Sequence, residues 1–278
     1  MNLINSLQDT FALHNSINMP YVGLGVYKMT NEEEAYTAIK SAIDTGYRLI
    51  DTAAFYDNEQ IVGKVVRDSD IDRKDLFITS KVWNSDQGYD ETLRAFEQSL
   101  KQLNMDYMDL YLVHWPVKGK YKETWRAFER LYQEGIVRAI GVSNFQIHHL
   151  EDLLADSMEK PVINQVELHP YLSQVPLRDY CHKNKIAIEA WSPIARNRLV
   201  DEPLLNHLAK KYGKTVSQII LRWHLQNHTI IIPKSVHLER IKENADLFDF
   251  ELTMEDMTQV NALNKNERFG ADPDHFDF

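Results

Sequence analysis

Short apolar runs and helix-period stripes alternate along this chain from one end to the other. Apolar runs of strand length fall at 21–25, 48–51, 76–81, 108–114, 137–142, 162–167, 187–191 and 230–233. Between them, apolar residues recur every three or four positions. Leu93, Phe96, Leu100 and Leu103 form one such stripe, and Trp125, Phe128, Leu131 and Tyr132 another. The runs read as buried strands and the stripes as amphipathic helices. Thr30-Asn31-Glu32-Glu33 has the pattern of a capping box that opens a helix, with Gly46 placed to close it. Thr215-Val216-Ser217-Gln218 repeats that signal for a helix through Trp223, in a gap long enough for two helices. A last helix is expected from Thr253, and a tail rich in Gly, Asp and Pro follows at 269–278. Ahead of the first strand, 10–20 is expected to form a hairpin.

Eight strand–helix units with no linker, repeat boundary or low-complexity block between them predict one α/β domain over 1–278. The pattern favours a closed (β/α)8 TIM barrel over an open doubly wound sheet. The N-terminal hairpin and the extra helices are additions to it, and the C-terminal tail is expected as a loop over the barrel mouth. Chemistry in such barrels gathers at the C-terminal ends of the strands.

Three successive runs end there on polar groups: Asp51, Lys81 and His114, spaced 30 and 33 residues apart. Each gap is about one strand–helix unit, so an acid, an amine and an imidazole should emerge at one edge. Tyr56 follows Asp51 in the loop. Taken singly it reads as a surface aromatic, because a free phenol with a pKa of about 10 is a poor acid near neutrality. Beside Lys81 it is expected to have a lowered pKa, with Asp51 holding the ammonium in place. His114 precedes Trp115, which begins an aromatic wall, and Pro116, which ends the strand, and its imidazole is placed to donate to a substrate oxygen. Ser143, Asn144 and Gln165 are read as further strand-end amide and hydroxyl groups suited to a carboxamide. Trp191 is core, or an indole stacked on a planar ring.

Composition narrows the partners. A 44% hydrophobic and 26% charged chain has ample core, and a net charge of −10 argues against nucleic acid or an acidic membrane surface. Any bound anion must be held by a local basic cluster. One stands after the last run, where Lys234 and Ser235 precede Arg240 and Asn244, four apart on one helix face. Ser235 is read as the cap of that helix, and the choice lies between a solvated basic face and a phosphate site. The net charge tilts it towards the anion. Gly23-Leu24-Gly25 lacks the third glycine of a dinucleotide loop, position 28 being Lys, and is read as easing a strand end. The lone Cys181 excludes an internal disulfide. His148 and His149 are expected on different helix faces, so no metal site is read. With no basic leader and no membrane-length apolar stretch, a cytoplasmic protein is expected.

The chain resembles the aldo-keto reductases. The motifs that carry the likeness are Asp51-Thr52-Ala53-Ala54-Phe55-Tyr56, Thr79-Ser80-Lys81-Val82-Trp83, Leu112-Val113-His114-Trp115-Pro116, Gly141-Val142-Ser143-Asn144-Phe145, Asn164-Gln165-Val166-Glu167 and Ile232-Pro233-Lys234-Ser235. The short loops and tail are similar to compact bacterial members such as glyoxal, methylglyoxal and 2,5-diketo-D-gluconate reductases. The resemblance implies an NADPH-dependent reductase of aldehydes and ketones, bound to its small-molecule substrate as a monomer. It implies Tyr56 as general acid, Lys81 and Asp51 as its tuning pair, and His114 as the carbonyl-orienting donor. Ser143, Asn144 and Gln165 would take the carboxamide, and Trp191, with Ser192 beside it, the nicotinamide. Lys234, Ser235 and Arg240 would take the 2′-phosphate, and Asn244 the adenine. Tyr27, Trp83, His114 and Trp115 would line the substrate pocket. Trp191 stands where the family usually has Tyr. Two rivals are a non-catalytic NADPH-binding regulatory subunit and a barrel isomerase or lyase using Lys81 as a Schiff-base amine.

Overall fold

Two three-residue strands, β1 (Thr10–Ala12) and β2 (Asn18–Pro20), pair antiparallel and form the expected hairpin. The computed structural model describes residues 4–276, so 1–3 and the last two residues of the expected tail, 277–278, lie outside it. Each of the eight expected runs overlaps a strand: 187–191 matches in full, the strands at 76–81 and 137–142 run one residue past the expected end, and the others are shorter. The strands are β3 (Gly23–Gly25), β4 (Leu49–Asp51), β5 (Phe77–Val82), β6 (Leu110–Val113), β7 (Ile140–Ser143), β8 (Ile163–Glu167), β9 (Ala187–Trp191) and β10 (Ile230–Ile231). All neighbours are parallel and in chain order. A parallel bridge between Val22 and Ile231, and the Gly25 N–H donating to the Pro233 carbonyl at 3.3 Å, bring β3 against β10 and close the barrel. Gly25 permits that closure, since a Cβ there would lie 2.8 Å from the Ile232 carbonyl oxygen. That is the structural use of the glycine pair that fails as a dinucleotide loop.

Among the described residues ten α-helices wrap the barrel: α1 (Glu32–Thr45), α2 (Glu59–Asp68), α3 (Tyr89–Leu103), α4 (Tyr121–Gln133), α5 (Ile147–Leu154), α6 (Val175–Lys183), α7 (Pro203–Tyr212), α8 (Val216–Gln226), α9 (Leu238–Ala245) and α10 (Met254–Asn261). Gly46 closes α1 at φ 114°, but Asn31, not Thr30, caps its start by accepting the Glu34 N–H at 2.9 Å. The capping box of Thr215 and Gln218 forms as read, and Thr253 caps α10. No helix among the described residues is long and apolar enough to cross a membrane.

Strand alternation sorts the core into two. Leu49, Phe77, Leu110, Leu112, Ile163, Ala187 and Ile230 fill the barrel together with Leu13 and Met19 of the hairpin. Ile50, Ile78, Tyr111, Val142, Val166, Ile188 and Ile231 face the helices. The hairpin therefore plugs the N-terminal end of the barrel. Stepping by two from the inward set leads to Asp51, Lys81, His114, Ser143, Gln165, Glu189 and Trp191 near the other end.

Candidate active site

At that end Lys81 is fully buried, and its three ammonium protons have three acceptors. It donates to Asp51 Oδ1 at 2.6 Å, to the Thr52 carbonyl at 2.9 Å and to the Tyr56 hydroxyl at 3.4 Å. Burial alone depresses the ammonium, but Asp51, Tyr56 and Glu189 outweigh it and leave the Lys81 pKa raised. Lys81 is thus a held cation, which removes the neutral amine that a Schiff base requires. Burial also raises the Asp51 carboxyl, partly offset by Lys81 and by Gln165.

The expectation of a lowered Tyr56 pKa is overturned. Burial pushes the phenol up to about 12, and the pull of Lys81, which is downward as expected, does not compensate. Near neutrality the hydroxyl keeps its proton. Its ring lies 5.0 Å from that of Tyr27 and edge-on to His114 at 5.7 Å. His114 is buried, and burial first and Lys81 second hold its pKa well below the usual range, so it is neutral with one N–H to give. Its Nδ1 has no partner among the described residues. Trp83 meets His114 edge-on at 5.0 Å and is stacked by Phe55 at 3.8 Å. Phe55, 49% exposed, was not singled out from the sequence.

Gln165 lies two residues short of the end of β8, deeper than a strand-end reading places it. Its Nε2 donates across the barrel to Asp51 Oδ2 and beside it to Glu189 Oε2, both at 2.8 Å. Ser143 Oγ donates to the Gln165 carbonyl at 2.8 Å. Asn144, left-handed at φ 65°, donates to the His114 carbonyl at 3.0 Å and accepts the Trp191 indole N–H at 2.8 Å. Ser192 follows Trp191 and is also left-handed, at φ 49°. Such backbone away from glycine concentrates at functional sites.

The tail reaches this mouth as expected. Glu167 accepts the backbone N–H groups of Phe269 at 2.7 Å and Gly270 at 3.0 Å, and Phe276 stacks on Trp115 at 4.5 Å. A Cβ on Gly270 would fall 2.3 Å from the Trp191 ring, so the tail seats flush against that indole. His148 and His149 do not diverge as read: their rings lie 3.9 Å apart and both face Asp274. His149 Nδ1 accepts the Gln146 N–H at 3.1 Å, which puts its one proton on Nε2, towards Asp274. A neutral imidazole in that state has no lone pair left for a metal.

The second predicted cluster forms at the loop from β10 into α9. Lys234 and Arg240 are exposed and make no hydrogen bond or ion pair among the described residues, and the Asn244 amide is likewise without a partner. Ser235 does not cap the helix. His237 occupies that position, and Ser235, two residues ahead, accepts the His237 N–H on its Oγ at 3.1 Å. Tyr47 donates from α1's end to the Ile241 carbonyl at 2.9 Å and pins α9 to the barrel. A cavity of about 980 Å³ lies at the plugged end, lined by Phe11, Tyr21 and Arg178, and has none of the grouping above.

Known proteins are similar to this chain over nearly its whole length. Residues 22–265 match the Aldo/keto reductase family. A glyoxal reductase of Bacillus subtilis is 57% identical over 98% of this chain and 99% of its own. A methylglyoxal reductase of Escherichia coli is 46% identical over 93% of this chain and 94% of its own. The crystal structure of a Gox0644 variant in complex with NADPH superposes with a TM-score of 0.93 at 42% identity, covering 98% of this chain and 99% of that one. Barrel, buried acid–amine–phenol set and family match agree: this chain is an oxidoreductase that belongs to the aldo/keto reductase family.

Proposed function

We propose that the protein reduces small reactive aldehydes and ketones, of the glyoxal and methylglyoxal kind, with NADPH. The observation that carries this reading is the buried Lys81 ammonium held between Asp51 and the Tyr56 hydroxyl. Tyr56 keeps its proton until a carbonyl oxygen gains negative charge, then donates it. The phenolate left behind is stabilised by Lys81, so the same ammonium that costs little in the resting state acts where charge develops. Neutral His114 gives its N–H to the same oxygen and orients the carbonyl. Tyr27, Trp83 and Trp115 bound the space in which that carbonyl sits, and an aromatic, partly open wall suits small substrates without strong discrimination.

The polar groups at the two clusters fit NADPH. Lys234 and Arg240 are cations without an ion pair among the described residues, in a chain of net charge −10, and suit, with Ser235, a 2′-phosphate. Asn244, beside Arg240 on α9, suits the adenine. Ser143, Asn144 and Gln165 would hold the carboxamide, and Trp191, with Ser192, would support the nicotinamide ring. NADPH, when bound, supplies the hydride. A regulatory subunit would not need a proton donor kept protonated by burial and braced by a buried cation.

NADPH consumption measured against glyoxal, methylglyoxal, aromatic aldehydes, keto-sugars and simple ketones tests the reading. Tyr56→Phe is expected to cut turnover by about a thousandfold while leaving NADPH affinity within about twofold. Substantial turnover in that variant would remove Tyr56 from the role.

A further inference from the structure

Glu189 is an acid inside the barrel that makes no ion pair among the described residues. It is fully buried in β9, its Oε2 accepts only the Gln165 amide, and its Oε1 has no partner among the described residues. The inward neighbours on the same strand, Ala187 and Trp191, show that this face of β9 accepts apolar side chains. A carboxyl there is costly unless something uses it.

What it touches is the amide of Gln165. A single nitrogen lies 2.8 Å from Asp51 Oδ2 and 2.8 Å from Glu189 Oε2. Asp51 is tied to the Lys81 ammonium, so the atom facing it must be a donor; an amide oxygen would set acceptor against acceptor. With both amide protons given to Asp51 and Glu189, the side-chain oxygen Oε1 of Gln165 is turned away from both carboxylates. Unlike the backbone carbonyl, which accepts from Ser143 and Asn144, that Oε1 takes no hydrogen bond among the described residues.

We propose that Glu189 is a positioning residue of the nicotinamide site: by holding the second proton of the Gln165 amide it fixes that side chain with its carbonyl oxygen outward, ready to accept the N–H of a carboxamide. The proposal rests on the reading that Gln165 takes the carboxamide. Asp51 alone binds one amide proton and leaves the group free to swing about that bond; Glu189 removes the swing. The chain Glu189–Gln165–Asp51–Lys81–Tyr56 then joins the seat of the cofactor to the proton donor through contacts already made.

Ionisation gives the proposal a second handle. Burial first, and then Asp51, push the Glu189 pKa up to about 8. The charged groups facing it are Asp51 from β4 and Lys81 from β5; β8 offers the Gln165 amide, and β10 offers Ile230 and Ile231. Below that pH the carboxyl is neutral, and above it a second anion appears under the mouth. An added anion favours the positively charged ring of NADP⁺ over the neutral ring of NADPH. The ratio of the NADP⁺ to the NADPH dissociation constant should therefore fall as pH rises through about 8.

The experiment measures both dissociation constants by tryptophan fluorescence on either side of that pH, with melting curves to confirm folding. Four proteins are compared: the parent, Glu189→Leu, Glu189→Gln and Gln165→Ala. Glu189→Leu keeps the volume and removes the acceptor, and should weaken NADPH by about fivefold with no loss of melting temperature. Glu189→Gln keeps the acceptor and removes the titration, so it should bind like the parent below the step and show no step. Should Glu189→Leu bind as the parent does while Glu189→Gln keeps the step, Glu189 is core filling and the proposal fails. If Glu189→Leu does not fold, the presence or absence of the step in Glu189→Gln decides. Gln165→Ala separates the two layers: it should weaken NADPH by about tenfold, and unchanged affinity there would overturn the carboxamide reading and this proposal with it.

Discussion

The mouth of the barrel and the loop after β10 both carry a lysine, and the two lysines are in opposite states. Lys81 is fully buried, and all its protons are placed on Asp51, Thr52 and Tyr56. Lys234 is exposed and, like Arg240, holds nothing among the described residues. A buried ammonium must be satisfied by the protein itself, whereas a solvated one is satisfied by water until an anion displaces it. The first lysine therefore belongs to the folded state, and removing it harms the fold and the chemistry together. The second belongs to the complex, and its removal should be felt only when ligand is present.

The sharpest way to break that contrast is Lys81→Met. It leaves the Asp51 carboxyl buried without its cation, so stability should fall by about 3 kcal/mol in a denaturant titration. The reduction rate should fall by about a thousandfold, because neither Tyr56 nor the oxyanion keeps its positive neighbour. Asp51→Asn comes next, at roughly a hundredfold in rate, since the ammonium stays but loses the partner that aims it. It should cost less stability than Lys81→Met, because Thr52 and Tyr56 still accept from Lys81. If Lys81→Met proved as stable as the parent, the mouth would not be built into the fold as argued.

Much of this was legible before the structure. Asp51, Lys81 and His114 lie on the inward parity of β4, β5 and just beyond β6, and a period of two carries that information in the chain itself. The same parity runs through Gln165 and Glu189, yet the sequence does not mark Glu189, because nothing local shows a buried acid to be paired across strands. The phenol's pKa was misread for a related reason: a neighbouring cation can be inferred from spacing, but the depth of burial that outweighs it is a property of the assembled mouth. Thr30 and Ser235 failed as caps by one or two residues, the scale on which loop geometry rather than residue type decides. His149 turned toward His148 because a tail residue more than a hundred positions away, Asp274, and the Gln146 N–H orient it.

Arg240→Ala probes the unpaired side of the contrast. NADPH should weaken by about tenfold and NADH by much less than that, since only the former carries the extra phosphate. The melting temperature without ligand should not move, as Arg240 has no hydrogen bond or ion pair among the described residues to lose. Raising salt should weaken NADPH binding to the parent more than to the variant, because an exposed guanidinium is screened within about 10 Å at 0.1 M. Equal losses for the two cofactors, or a lower melting temperature in the free protein, would place Arg240 with the structural lysine instead.

The smallest expected effect is the most discriminating, because Trp191 sits between the two classes. It lies at the rim where the cofactor ring is expected, yet its indole N–H is already given to Asn144 Oδ1 at 2.8 Å, and Gly270 leaves no room behind it. Trp191→Tyr restores the usual family residue and keeps an aromatic face, but it removes the indole donor from Asn144. If Trp191 were only a platform, NADPH affinity would not change. If the hydrogen bond sets the left-handed turn at Asn144, affinity should weaken by about threefold and the free protein should lose about 0.5 kcal/mol, the worth of one modest hydrogen bond. A loss seen only with ligand would put Trp191 beside Arg240; a loss seen in both states puts it beside Lys81, where its present partner already places it.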